Sequence, residues 1–199
     1  VVKRPDPEER REEIADAVLR VIRRAGVGAA SVRTVAEEAG MSTGSLRHFF
    51  GTQSELLLFA MELVIRRVTE RIADIEPTGE LLVDARVLVD QFVPLDDTRR
   101  VEMDVWQSFV VAARTDPTLA EVRDRSDEAV YDAMLQVTTA LQDAGILRGA
   151  SAEVEAMRLH ALVDGLAAHG VNHPRRMDAA RIGAVLDAHI DALVAGGSP

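Results

Sequence analysis

Residues 30–57 concentrate small hydroxyl side chains, three glycines, an arginine pair and a histidine in a pattern suited to gripping a polyanion. Ser31 and Ser42 stand where helix starts use a hydroxyl to cap free backbone N–H groups. Gly40-Met41-Ser42 reads as a tight turn between two short helices, with Gly40 supplying the left-handed backbone such a turn needs. Met41, apolar within a polar turn, is expected to fill the gap between those helices. The helix after Ser42 spans about two turns. It shows small polar residues first and Arg47 and His48 next. A helix of that kind fits the major groove of a duplex and presents its first residues to base edges. Arg47 also reads as a solvated surface arginine, and His48 as a packing or exposed residue. Phe49 and Phe50 are expected in the core, because the apolar face of a short helix must be buried.

Helices have to position these groups, and helical periodicity runs the length of the chain. Asp6-Pro7 reads as a cap followed by a first helical residue. Ile14, Ala17, Val18, Val21, Ile22 and Ala25 then share one face, ended by Gly26 and Gly28. A second helix follows Ser31 with Val32, Val35, Ala36 and Ala39 inward. The third follows Ser42 and buries Leu46 and Phe50. Thr52-Gln53-Ser54-Glu55 has capping-box spacing and opens a long fourth helix to about Ile75. Pro77-Thr78-Gly79 is the clearest break. Further helices are predicted over 80–92, 98–114, 117–143, 151–169 and 178–194, the last with Ile182, Val185, Leu186, His189, Ile190 and Leu193 on one side. No strand-like alternation of useful length occurs. The reading is an all-α protein of about nine helices: a three-helix unit over 6–55, a linking helix over 53–75 and a helical bundle over 78–195. The tail Gly196-Gly197-Ser198-Pro199 is expected to be disordered.

Composition narrows the function classes. The chain has 199 residues, 47% hydrophobic and only 4% aromatic, which is lean for a β-sandwich. It has no cysteine, which excludes disulfides, thiolate metal sites and a cysteine nucleophile. The net charge of −10 argues at first against a nucleic-acid partner. Its distribution matters more: residues 1–55 hold nine basic and nine acidic groups, whereas the remainder holds 14 and 24. The excess negative charge therefore lies beyond the motif. No signal-peptide core and no apolar run of membrane-spanning length is present, so a cytoplasmic protein with no membrane partner is expected.

With Val35-Ala36, Ala39-Gly40-Met41-Ser42, Ser45-Leu46, Phe50 and Glu55-Leu56 in this order, the chain resembles the TetR family of transcriptional regulators over about residues 8–60. Leu162-Val163-Asp164-Gly165-Leu166 and the helix from Ile182 to Leu193 resemble, more weakly, the betaine-regulator-like branch. The resemblance implies that Thr43, Gly44, Arg47 and His48 meet DNA bases or phosphates. It implies that Ser31, Arg33, Ser42 and Thr52 hold phosphates. Two positions depart from the family, which usually has Tyr where this chain has Arg47 and Lys where it has Gln53. Arg47 can add a charge or a bidentate guanine contact, whereas Gln53 forfeits a phosphate contact.

The resemblance also implies an effector cavity in the second domain. The larger inner side chains are its candidate lining: Phe92, Met103, Trp106 and Phe109, with Tyr131, Met134, Met157 and His160. Trp106 and Tyr131 stand out because each polar tip needs a partner. The plain alternative is that much of this set is simply core. His160 and Asp164, like His169 and His173, stand four apart, but one carboxylate and no HExxH pattern make a metal site unexpected. No cofactor is expected. Small residues Ala161, Gly165 and Ala168, with the apolar stripe of the last helix, suggest a homodimer through the last two helices. The resulting expectation is a non-enzymatic, ligand-responsive, dimeric regulator of a double-stranded DNA operator, a repressor released by a small-molecule effector. A helical-bundle enzyme and a protein-binding adaptor are the alternatives.

Overall fold

A computed structural model describes residues 7–148 and 150–195. The Asp6 cap and the glycine-rich tail lie outside the described residues. Nine α-helices and two single 3₁₀ turns make up the regular structure among the described residues. They are α1 (Pro7–Ala25), α2 (Val32–Glu38), α3 (Thr43–Arg47), α4 (Gln53–Ala73), α5 (Leu81–Val89), α6 (Asp97–Ala112), α7 (Pro117–Asp143), α8 (Ala152–Asn172) and α9 (Ala179–Ala195). The chain is all-α, as its periodicity predicts.

The chain divides into two compact units. The first contains the chain up to Arg67 together with Asp104–Ala120; the second contains Val68–Met103 and the chain from Glu121 onward. The divisions fall inside α4, α6 and α7, so the Pro77-Thr78-Gly79 break lies within the second unit. There the Asp84 carboxylate accepts from the Thr78 hydroxyl at 2.7 Å and the Thr78 N–H at 2.8 Å, which ties the loop down. These bonds hold the Asp84 carboxyl below its ordinary pKa, the hydroxyl bond contributing most.

In the first unit α1 packs on α2, and α2 on α3. Ile14, Ala17, Val18, Val21 and Ile22 of α1 are buried as their spacing predicts, together with Val35, Ala36, Leu46, Phe50 and Leu56. Ala15 joins this core, whereas Ala25 is exposed in the last turn of α1. Phe49 corrects a second expectation, being 41% exposed. The reason is that α3 ends at Arg47 with His48 as its C-cap, so the two phenylalanines follow the helix instead of sharing its buried face. Only Phe50 turns inward, against Phe59 at 4.9 Å between ring centroids.

The second unit has its core between α5, α7, α8 and α9, from Val89, Val93, Met134 and Leu141 to Leu159, Val163, Ile182 and Leu186. Thr138, fully buried in α7, donates its hydroxyl to the Ala152 carbonyl at 2.9 Å, and the Gln142 side chain accepts from the Ala152 N–H at 3.0 Å. Gln142 thus supplies an acceptor to the first turn of α8, whose N-cap residue Ser151 makes no capping bond. The Ser151 hydroxyl bonds the Glu153 carboxylate instead and lowers its pKa. Val185, expected on the inner side of α9, is 36% exposed.

Candidate nucleic-acid interface

Five residues cannot sustain a helix in water, because nucleation costs more than one or two hydrogen bonds return. Two fixings therefore hold α3. Leu46 is completely buried, an anchor whose truncation to alanine costs about 2–5 kcal/mol at such sites. Ser42 caps the N-terminus, its Oγ accepting from the Ser45 N–H at 3.0 Å. The preceding turn closes as a Schellman motif: the Met41 N–H reaches the Ala36 carbonyl at 2.8 Å, and Gly40 adopts φ +64°. Met41 is half-buried behind it, in line with the gap-filling role expected of it.

α2 is held as firmly. Ser31 and Thr34 form a capping box, with the Thr34 N–H to Ser31 Oγ at 3.2 Å and the Ser31 N–H to Thr34 Oγ1 at 2.9 Å. Thr34 also donates its hydroxyl to the Ala29 carbonyl at 2.6 Å. Glu38 clamps α2 to α1, accepting from Arg20 Nε at 2.8 Å and Arg24 Nη1 at 2.9 Å. These two arginine bonds, that of Arg20 foremost, hold the Glu38 carboxyl below its ordinary range. Sequence reasoning passed over Thr34 and Glu38. The signal for Thr34 was the S-x-x-T spacing after Ser31; Glu38 carried none, because its partners lie 14 and 18 residues away.

The residues proposed to meet DNA sort by exposure. Ser42, Gly44, Arg47, His48 and Thr52 are exposed, Arg33 is exposed, and Ser31 and Thr43 are half-buried. Arg33 makes one long ion pair, to Glu37 at 3.4 Å. Arg47 pairs with no carboxylate among the described residues. Thr52 caps α4 through the Glu55 N–H at 3.1 Å, but the Glu55 carboxylate reaches the Gly51 N–H at 2.6 Å, one residue short of a true capping box. α3 therefore shows its polar residues to solvent and buries only Leu46, from a frame locked by caps and the Glu38 clamp.

The candidate effector residues divide differently. Phe92, Met103, Phe109 and Met134 are buried, Trp106, Tyr131 and His160 half-buried, and Met157 is 56% exposed. Trp106 and Phe109 belong to the first unit and the others to the second. The Tyr131 and His160 rings lie 6.1 Å apart. Of the small residues on α8, Gly165 faces open space within the chain and Ala161 is exposed. The glycine the fold requires is Gly170, where a Cβ would collide with the Pro94 ring and come within 2.9 Å of Ile182 Cδ1.

A capped two-helix turn carrying a short, solvent-facing helix on a third helix is the helix-turn-helix architecture of DNA-binding regulators. Residues 14–59 match the family model described as bacterial regulatory proteins of the tetR family. Residues 84–195 match that of the C-terminal region of BetI-type transcriptional repressors. The HTH-type transcriptional regulator PksA of Bacillus subtilis is 40% identical over 194 residues, covering 96% of this chain and 93% of that protein. A transcriptional regulator from Rhodococcus sp. superposes with a TM-score of 0.80 at 29% identity, over 95% of this chain and 99% of the other. A regulator from Saccharomonospora viridis, solved in complex with choline, superposes with a TM-score of 0.79 at 22% identity, covering 92% and 96%. The chain belongs to the TetR family of bacterial transcriptional regulators. Its relatives are regulators and not enzymes, and no helix among the described residues is long and apolar enough to cross a membrane.

Proposed function

We propose that two copies of this chain bind a palindromic operator through α3 and leave it when a small-molecule effector occupies the domain over 78–195. The observation that carries the DNA reading is the exposure of Arg47 and its polar neighbours on a short helix whose frame is fixed by Leu46, the Ser42 cap and the Glu38 clamp. Thr43, Gly44, Arg47 and His48 face bases or phosphates, while Ser31, Arg33, Ser42 and Thr52 hold the backbone. A two-fold dimer through α8 and α9 sets the two reading helices about 34–36 Å apart, one DNA turn, or further for longer half-site spacing. Effector binding is coupled to the operator through α4, which begins six residues after α3 and continues into the second unit. Such coupling is typically worth about 1–3 kcal/mol. The choline complex of the Saccharomonospora relative supports a small organic effector, with Trp106 and Tyr131, whose polar tips need a partner, the first residues to test in that role.

The test is a gel shift on DNA flanking the coding region, at several salt concentrations. Binding is expected to need the palindrome and to fall steeply with salt. Arg47→Ala should weaken it about 5- to 150-fold, the worth of one bidentate contact of about 1–3 kcal/mol. Arg123→Ala, on α7 and paired with Asp124 at 2.6 Å, should leave it unchanged. Equal effects of the two substitutions remove Arg47 from the interface, and absence of any sequence-specific binding refutes the operator reading.

A further inference from the structure

Asp127 on α7 meets His160 and Asp164 on α8 in a cluster whose two carboxylates have no part in the operator or effector reading. His160 Nε2 stands 3.5 Å from Asp127 Oδ1 and 4.0 Å from Asp164 Oδ2, and one donor atom from each residue lies within 4.8 Å of the others. We propose that these three side chains form a binding site for one divalent first-row transition ion, of the zinc or manganese class, bridging α7 and α8.

Geometry comes first. A point equidistant from three atoms with those separations lies about 2.4 Å or less from each, against about 2.0–2.2 Å for zinc bound to imidazole or carboxylate. Small rotations of exposed aspartates supply the difference. One imidazole nitrogen and two carboxylates suit zinc, manganese or iron(II), with the remaining positions open to water or another ligand. Calcium, which takes about 6–8 oxygens at longer distances, fits a nitrogen donor poorly.

Electrostatics agrees. With a neutral imidazole the cluster carries two negative charges, in the part of the chain that holds all the net negative charge. A divalent ion would offset the repulsion between the two carboxylates. The Tyr131 ring, one turn along α7 from Asp127, covers His160 on one side. The sequence shows only the His160–Asp164 half of the site. Asp127, 33 residues before His160, is brought in by the packing of α7 on α8.

The experiment is calorimetric titration of the full chain, freed of metal by chelation, with zinc and then manganese chloride in a large excess of magnesium. One saturable equivalent per chain is expected. His160→Ala and Asp127→Asn should each weaken it at least about 10-fold. The double substitution His169→Ala and His173→Ala removes the other histidine pair, whose rings lie 5.7 Å apart, and should leave binding unchanged. Asp127 is exposed, so its variant should melt like the parent, which a thermal scan verifies. Absence of saturable binding overturns the proposal. So does an equivalent that survives both His160→Ala and Asp127→Asn, or one lost with His169 and His173.

Discussion

Arg71 and Glu102 offer the sharpest stability test in the second unit. The Arg71 guanidinium donates from Nη1 and Nη2 to the two oxygens of Glu102 at 3.0 and 2.9 Å, and from Nε to Gln91 Oε1 at 2.8 Å. Gln91 in turn donates to the Val87 carbonyl at 2.7 Å, which fixes its amide against the guanidinium. The partners differ in one respect that decides the outcome: the Glu102 side chain is 1% exposed and that of Arg71 27%. Arg71→Ala strands a carboxylate that water cannot reach, and breaking a buried pair in this way costs about 3–5 kcal/mol. Glu102→Ala leaves a guanidinium that can turn toward solvent and keep Gln91, so about 1–3 kcal/mol is expected, near the cost of a lost charged hydrogen bond. Arg71→Met combined with Glu102→Leu removes both charges at similar volume and should lie closest to the parent, since apolar replacement of a buried pair is often neutral or better. The assay is urea unfolding followed by circular dichroism, at fixed protein concentration because a dimer's midpoint moves with concentration. The expected order of loss is Arg71→Ala, then Glu102→Ala, then the double variant. If Glu102→Ala costs as much as Arg71→Ala, or the apolar pair is the least stable, the exposure argument fails.

Two glycines on α8 make a matched pair. Gly170→Ala drives a methyl into the Pro94 ring and Ile182, an overpacking loss of about 1–3 kcal/mol, whereas Gly165→Ala meets nothing in the chain and should gain up to about 1 kcal/mol from helix propensity. If α8 also forms the dimer interface, Gly165→Ala raises the dissociation constant measured by analytical ultracentrifugation while the isolated fold stays intact; an unchanged constant takes Gly165 out of that interface. Acid should loosen the reading domain through Glu38. Its folded pKa lies below the unfolded value of 4.5, so its contribution is complete above about pH 4.5 and is lost as pH falls through the folded value. Glu38→Gln should remove that part of the acid sensitivity, seen as a flatter stability profile below pH 5; an unaltered profile would show that the two arginines do not act through this carboxylate.

How far the sequence reaches depends on the range of the interaction concerned. Helix starts at Ser31 and Ser42 are written within three residues, as side-chain oxygens opposite backbone donors, and each caps as its spacing predicts; Asp116 and Asp178 cap α7 and α9 by the same local bond. Gly40 belongs to the same class, since its positive φ follows from the turn it closes. The apolar face of α1 was legible because the 3.6-residue period is itself local; Ala25 departs from it only where the helix ends. What escaped are pairings across the fold. Arg71 meets Glu102 from 31 residues away, Asp127 meets His160 from 33, and Gly170 is indispensable because Pro94 packs over it, although Gly165 fits a small-residue spacing better. The frame of α3 was legible for a related reason: its cap and its buried leucine are near neighbours in one short segment. The candidate effector residues come from α6, α7, α8 and the 3₁₀ turn that holds Phe92, and from two compact units. No window of sequence contains them, so spacing alone says nothing of which belong together. For this chain, then, local spacing lays out the caps and the anchor of α3, whereas the pairings that join α7 to α8 exist only once the two helices have packed.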